Sequence, residues 1–242
     1  MGLISPFFMF RIFFFIFFFG LTFYLNGQSN SLSSRVEAEY TIKEVSSTGQ
    51  KNLIIGKVFY DINRAKIVYK QYFPSEQILV FQDSVIFQLT KDSTHQRAAL
   101  PGIINFSIYH LILTQSISDF GLDKLGYDVV DVKEVGENVV SKWMYKDIQG
   151  YILVSQKGLQ VDGVHFYDEE GKLVFNQYFK DYDLIGRHEF PLAIYESNHG
   201  RSETIKKITT YKNIKIDDFS DEDNYYNIDI DIDPNILWSN QK

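Results

Sequence analysis

From Tyr167 to Ile216 the chain repeats one pattern: a run suited to a strand, a short polar turn, and another such run. The defining letters are Tyr167-Asp168-Glu169-Glu170-Gly171-Lys172-Leu173-Val174, Phe179-Lys180-Asp181-Tyr182, Phe190-Pro191 and Thr210-Tyr211-Lys212-Asn213-Ile214. Successive side chains of a strand point to opposite faces, and polar clusters with glycine reverse the chain, so this stretch predicts antiparallel hairpins.

The upstream half reads the same way. Val36, Ala38, Tyr40 and Ile42 alternate in a first strand from Arg35 to Lys43, and Ser46 to Gln50 turns the chain. Leu53 to Ile62 and Lys66 to Tyr72 follow, then Phe73-Pro74-Ser75-Glu76, then a hairpin of Gln77 to Phe81 and Val85 to Leu89 about Gln82-Asp83-Ser84. Further strands are expected at Tyr127 to Val135, Val139 to Tyr145, Tyr151 to Ser155 and Leu159 to Tyr167. Period-two segments at this short spacing predict a meander. Scarce proline and abundant Tyr and Phe agree, because aromatic and β-branched residues suit a pleated surface.

The period changes after Pro101-Gly102. Ile104, Ile108, Leu111 and Ile112 lie on one helical face, which predicts a helix from Pro101 to Thr114 and a second helical turn within Ile117 to Leu125, closing at Gly126. Asp217 to Asn224 is acidic and expected to be exposed, and Tyr226 to Ile232 reads as a last edge strand ended by Pro234. Asp229, Asp231 and Asp233 do not fit a calcium loop, which needs glycine sixth and a bidentate glutamate twelfth; those places hold Pro234 and Asn240. Acids on an edge strand instead discourage sheet-to-sheet aggregation.

The first 27 residues stand apart from this pattern: Arg11, then a nearly pure apolar run from Ile12 to Leu25, then Asn26-Gly27 and a polar stretch. These are the marks of a secretory signal cleaved near Gly27, leaving 28–242 as one domain. A retained membrane anchor is the alternative, since Phe7 to Leu25 nearly reaches the ~20 residues of a span. Removing Arg11 takes the basic residues from 24 to 23 against 31 acids, a net charge of −8, which argues against nucleic acid as a partner. The chain has no cysteine, so disulfides, thiolate metal sites and a lipid-modified cysteine are excluded.

Catalytic patterns are missing. The five histidines (His95, His110, His165, His188, His199) show no metal-ligand spacing, Asp168-Glu169-Glu170 ends in Gly171 as a solvated turn would, and no G-x-S-x-G elbow or phosphate loop occurs. The expectation is a protein with no catalytic residues, no metal and no cofactor.

Three segments carry a family resemblance: Gly56-Lys57-Val58-Phe59-Tyr60, Pro74-Ser75-Glu76-Gln77-Ile78-Leu79-Val80 and Asp83-Ser84-Val85-Ile86-Phe87. With the later Tyr-Asp-x-x-Gly-Lys-Leu-Val, Phe-x-Asp-Tyr, Phe-Pro and Tyr-Lys-Asn-Ile-Lys-Ile elements, their order resembles the outer-membrane lipoprotein carrier and sorting proteins, the LolA/LolB-like family, over Arg35 to Ile232. The resemblance implies a mainly β fold: a curved antiparallel half-barrel covered by helices, with a lid near 101–125 and an apolar cavity for acyl chains. The expected lining is Val58, Tyr60, Val68, Val85, Phe87, Ile104, Ile108, Leu111, Trp143 and Phe175, and Arg64 is the expected lid tether, without the neighbouring proline usual in the family. The implied function is a monomeric periplasmic carrier of a lipid or acylated protein, served by an outer- or inner-membrane delivery protein. The alternative is a non-catalytic protein-interaction or envelope-sensing module on the same fold.

Overall fold

In the computed structural model the first described strand lies in the middle of the sheet. The structure describes residues 34–82, 85–98, 104–117, 119–146, 150–158, 160–200, 204–218 and 223–228. The signal segment, Pro101 at the expected helix start, the Asp83-Ser84 turn and the tail from Asp229 lie outside the described residues.

Among the described residues thirteen strands form one antiparallel sheet. The first six are β1 (Arg35–Ser46), β2 (Lys51–Asp61), β3 (Lys66–Phe73), β4 (Gln77–Gln82), β5 (Val85–Leu89) and β6 (Thr94–Ala98). The rest are β7 (Tyr127–Val135), β8 (Asn138–Tyr145), β9 (Tyr151–Lys157), β10 (Gln160–Tyr167), β11 (Leu173–Ile185), β12 (His188–His199) and β13 (Thr204–Ile216). Their spatial order is β6-β5-β4-β3-β2-β1-β13-β12-β11-β10-β9-β8-β7. The chain therefore winds outward to one edge, crosses to the other, and winds back until β13 pairs with β1. Among the described residues the sheet does not close: β6 and β7 are its two edges.

The β1–β13 seam is fastened at its end. Asp217 Oδ1 accepts from the backbone N–H groups of Ser34 (2.8 Å) and Arg35 (3.0 Å), and its own N–H donates to the Arg35 carbonyl at 3.1 Å. The turns follow their composition. In the acidic turn the Asp168 carboxylate accepts from Lys172 N at 2.8 Å, while Gly171 supplies the φ of 74° that a side chain disfavours.

The crossover from β6 to β7 covers one face of the sheet. It holds α1 (Ile108–Leu113) and a 3₁₀ turn, η1 (Asp123–Leu125), closed by Gly126. α1 is shorter than expected because Ser107, extended at φ −69° and ψ 140°, caps it by accepting from His110 N. Six residues cannot hold a helix in water. Burial holds this one: Ile108, Tyr109, Leu111, Ile112 and Leu113 are all buried, at about 1.5–3 kcal/mol for each large aliphatic side chain.

Apolar residues of both faces are buried. On the covered face Val36, Ala38, Tyr40, Val58, Tyr60, Trp143, Val154, Phe179, Phe190 and Tyr211 pack with Ile104, α1, Phe120 and Leu122. On the opposite face Phe59, Val68, Ile78, Val80 and Leu89 pack with Tyr226 and Ile228. This corrects the tail. Residues expected to open an edge strand form a 3₁₀ turn, η2 (Asp223–Asn227), because an apolar patch on β2–β4 needs a cover. Tyr225 stacks on Phe59 at 5.0 Å, Tyr226 meets the same ring edge-on at 5.5 Å, and the Lys66 ammonium donates to Ile228 O at 2.9 Å. Among the described residues no helix is long and apolar enough to cross a membrane.

Candidate functional site

Between the covered face and the start of α1 lies a groove of about 300 Å³. β1 to β4 supply Tyr40, Ile42, Ile54, Tyr69, Leu79 and Phe81; β11 to β13 supply Phe179, Ile194 and Tyr211; the covering segment supplies Phe106, Ile108 and Tyr109. Period two explains the sheet contributions, because these side chains share one face of adjacent strands.

One glycine makes the aromatic wall possible. Gly56 pairs with Tyr40 across β1–β2, and a Cβ there would stand 2.2 Å from the Lys70 carbonyl oxygen and 2.7 Å from the Tyr40 hydroxyl. The Tyr40 ring lies over this bare backbone and meets Tyr69 edge-on at 5.4 Å. Tyr69 then meets Phe81 at 5.6 Å and Tyr109 at 6.5 Å. Tyr109 donates its hydroxyl to the Tyr211 hydroxyl at 3.1 Å. Burial pushes the Tyr69 phenol up to about 12, raises Tyr40 and Tyr211 further, and holds Tyr109 well above its ordinary value. The wall is therefore neutral at physiological pH.

The groove's other margin is polar. Gln177, Glu196 and Lys207 stand side by side on β11, β12 and β13. Glu196 accepts from the Gln177 amide at 3.1 Å and from the Lys207 ammonium at 2.5 Å. The row continues in register through Glu44 to Asn52, whose amide donates to the Glu44 carboxylate at 3.2 Å. The site thus offers an apolar trough and a charged edge, which suits an amphiphile.

Of the ten expected lining residues, Ile108 borders this groove. Val58, Tyr60, Ile104, Leu111 and Trp143 sit in the solid core of the same face, and Phe175 meets Phe166, which packs against that core, at 5.5 Å. Val68 and Phe87 belong to the opposite face, and Val85 shares the side of Phe87 by alternation. They cannot face the groove, because β3 and β5 turn Tyr69 and Ile86, not Val68 and Phe87, toward the other side. Arg64 bonds Asp61 in its own turn and the Tyr226 carbonyl at 3.2 Å, so it holds the C-terminal segment. Tyr60 to His110, with Tyr109 to Tyr211, ties the sheet to the covering helix. Among the described residues no three His, Asp or Glu side chains gather in a metal-binding group.

No protein-family model matches the sequence, and no curated protein sequence matches it. Solved structures do. A LolA superfamily protein from Nitrosomonas europaea superposes with a TM-score of 0.55 at 13% identity, over 79% of this chain and 90% of that one. A DUF1329 family protein from Desulfovibrio piger gives 0.56 at 10% identity, over 81% and 90%. A Vibrio parahaemolyticus domain classed with the outer membrane lipoprotein-sorting proteins gives 0.52 at 9% identity, over 80% and 90%. At such identities the likeness concerns the fold. The open antiparallel sheet with one face covered by the crossover is the LolA-like fold.

Proposed function

We propose that this protein is a non-catalytic carrier of a lipid or an acylated protein in the bacterial envelope, exported by its first 27 residues and working as residues 28–242. The observation that carries this reading is the aromatic trough on the covered face, roofed by Phe106 to Tyr109 and edged by one charged row. Moving an acyl chain through water costs about 0.8 kcal/mol per exposed CH₂, and an apolar trough offsets that cost. The sorting role given to the Vibrio parahaemolyticus domain supports the same reading. Native mass spectrometry of residues 28–242, purified without detergent, tests it. A bound mass released by organic solvent is expected; an empty protein that takes up no added acyl peptide or lipid would reject it.

A protein-interaction role has its own observation. On the edge strand β7, Val129, Val130, Val132 and Val135 are each at least half exposed, and the neighbouring Val139 is 41% exposed. A free strand edge of this kind accepts another strand. Under this reading a stoichiometric protein partner is recovered from envelope extract, and Val132→Lys abolishes its capture.

A further inference from the structure

The polar edge of the groove is an ion pair, and the pair points to a headgroup. One cross-strand row runs Gln177, Glu196, Lys207, Glu44, Asn52 through adjacent strands β11, β12, β13, β1 and β2. Within it Glu196 and Lys207 line the groove, one charge of each sign, while Glu44 and Asn52 continue the row beyond the lining. The Glu196 side chain is 13% exposed and that of Lys207 33%, so both act where water screens them little. A headgroup of a single charge placed here meets its like as well as its opposite. A headgroup with an ammonium and a phosphate meets a partner for each charge.

The trough limits the other end of the ligand. Its volume of about 300 Å³ stands at the foot of the usual range for ligand pockets, roughly 300–1,000 Å³. It cannot lengthen into the rest of the covered face, because Ile104, Leu111, Leu113, Phe120 and Leu122 of the covering segment fill that space, each at most 5% exposed.

We propose that the groove selects a lipid with one apolar chain and an amine-bearing, zwitterionic headgroup, the chain lying against Tyr40, Tyr69 and Tyr109, the ammonium at Glu196 and the phosphate at Lys207. The proposal rests on the groove being the lipid site. It differs from the general carrier reading, which sets no condition on chain number or headgroup.

The test compares lysophosphatidylethanolamine, lysophosphatidylglycerol and diacyl phosphatidylethanolamine of equal chain length, titrated below their critical micelle concentrations into residues 28–242. Lysophosphatidylethanolamine is expected to bind on the order of tenfold more tightly than either other lipid. The ratio between the two lysophospholipids should fall close to one in Glu196→Gln and hold in Glu44→Gln, which lies beyond the groove, with circular dichroism confirming that both variants fold. Equal binding of the two lysophospholipids, or a preference unchanged by Glu196→Gln, overturns the headgroup assignment and leaves the carrier reading standing. Diacyl lipid binding as tightly as the single-chain lipid overturns the chain assignment. Binding of none of the three overturns the proposal; uptake of an acyl peptide by the same protein then keeps the carrier reading, and its absence rejects both.

Discussion

The Tyr60 hydroxyl and His110 Nδ1 stand 2.7 Å apart, joining β2 to the helix that covers it. Both rings are held by neighbours: Tyr60 lies 6.2 Å from Tyr109 and 6.2 Å from the imidazole, centre to centre. Tyr60→Phe keeps the ring and removes the link. It should cost about 0.5–1.5 kcal/mol, since a half-buried imidazole nitrogen loses its partner. Hydrogen exchange should accelerate first at the amides of 108–113, while the amides of β1 and β13 keep their protection.

The same histidine makes stability depend on pH. Burial, and then the charge of Lys124, hold the His110 imidazole below its usual value; burial also lowers His165 and His188. A group whose folded pKa is depressed binds more protons in the unfolded chain. Its contribution is therefore complete above the unfolded value near 6.5 and is lost as pH falls from there toward the folded value. Urea midpoints should drop between about pH 7 and pH 5. His110→Asn should flatten that drop relative to the parent; an unchanged slope would remove His110 from the account.

Gly56→Ala tests the bare backbone beneath Tyr40. The added methyl would lie 2.2 Å from a carbonyl oxygen of β3, so strand and ring must both move. A loss of about 1–3 kcal/mol is expected, the range for overpacked sites. Because the Tyr40 ring would leave its place against Tyr69, uptake of a lipid probe should weaken as well. A substitution on the opposite face should spare that uptake even where it costs more stability.

Such a substitution is Tyr226→Ala. Tyr226 is 2% exposed, stands against Phe59, and lies under the Arg35 guanidinium at 4.7 Å. Truncating it should cost about 3–5 kcal/mol, as for large aromatic side chains in cores. It should uncover Phe59, Val68 and Ile78, seen as a rise in binding of an apolar dye, with the groove's affinity for lipid unchanged.

Most strands were legible from period two alone. β5 (Val85–Leu89) and β7 (Tyr127–Val135) have the bounds their patterns predict, and the hairpins to Ile216 follow their turns. β6 was silent because Thr94-His95-Gln96-Arg97-Ala98 has no apolar alternation; only the free edge of β5 makes it a strand. The groove was harder to read for a different reason. Phe59 and Tyr60 are both fully buried, on opposite faces, so apolar character could not say which face Val68 or Phe87 takes. Tyr109 was missed because it lies off the stripe of Ile104, Ile108, Leu111 and Ile112, and its neighbours come from strands distant in sequence. The tail misled because an Ile–Asp alternation fits an edge strand and a segment lying over apolar side chains equally well.

The pairing of β1 with β13 sets a timetable for synthesis. The first strand to emerge meets its second partner only after Ile216 has been made, so every nascent intermediate carries β1 with one bare side. Until then Arg35 lacks the Asp217 carboxylate that ends the seam. A ribosome that stalls inside β12 releases a chain whose central strand, not its margin, is open to strangers. Quality control for such a protein must watch the middle of the sheet.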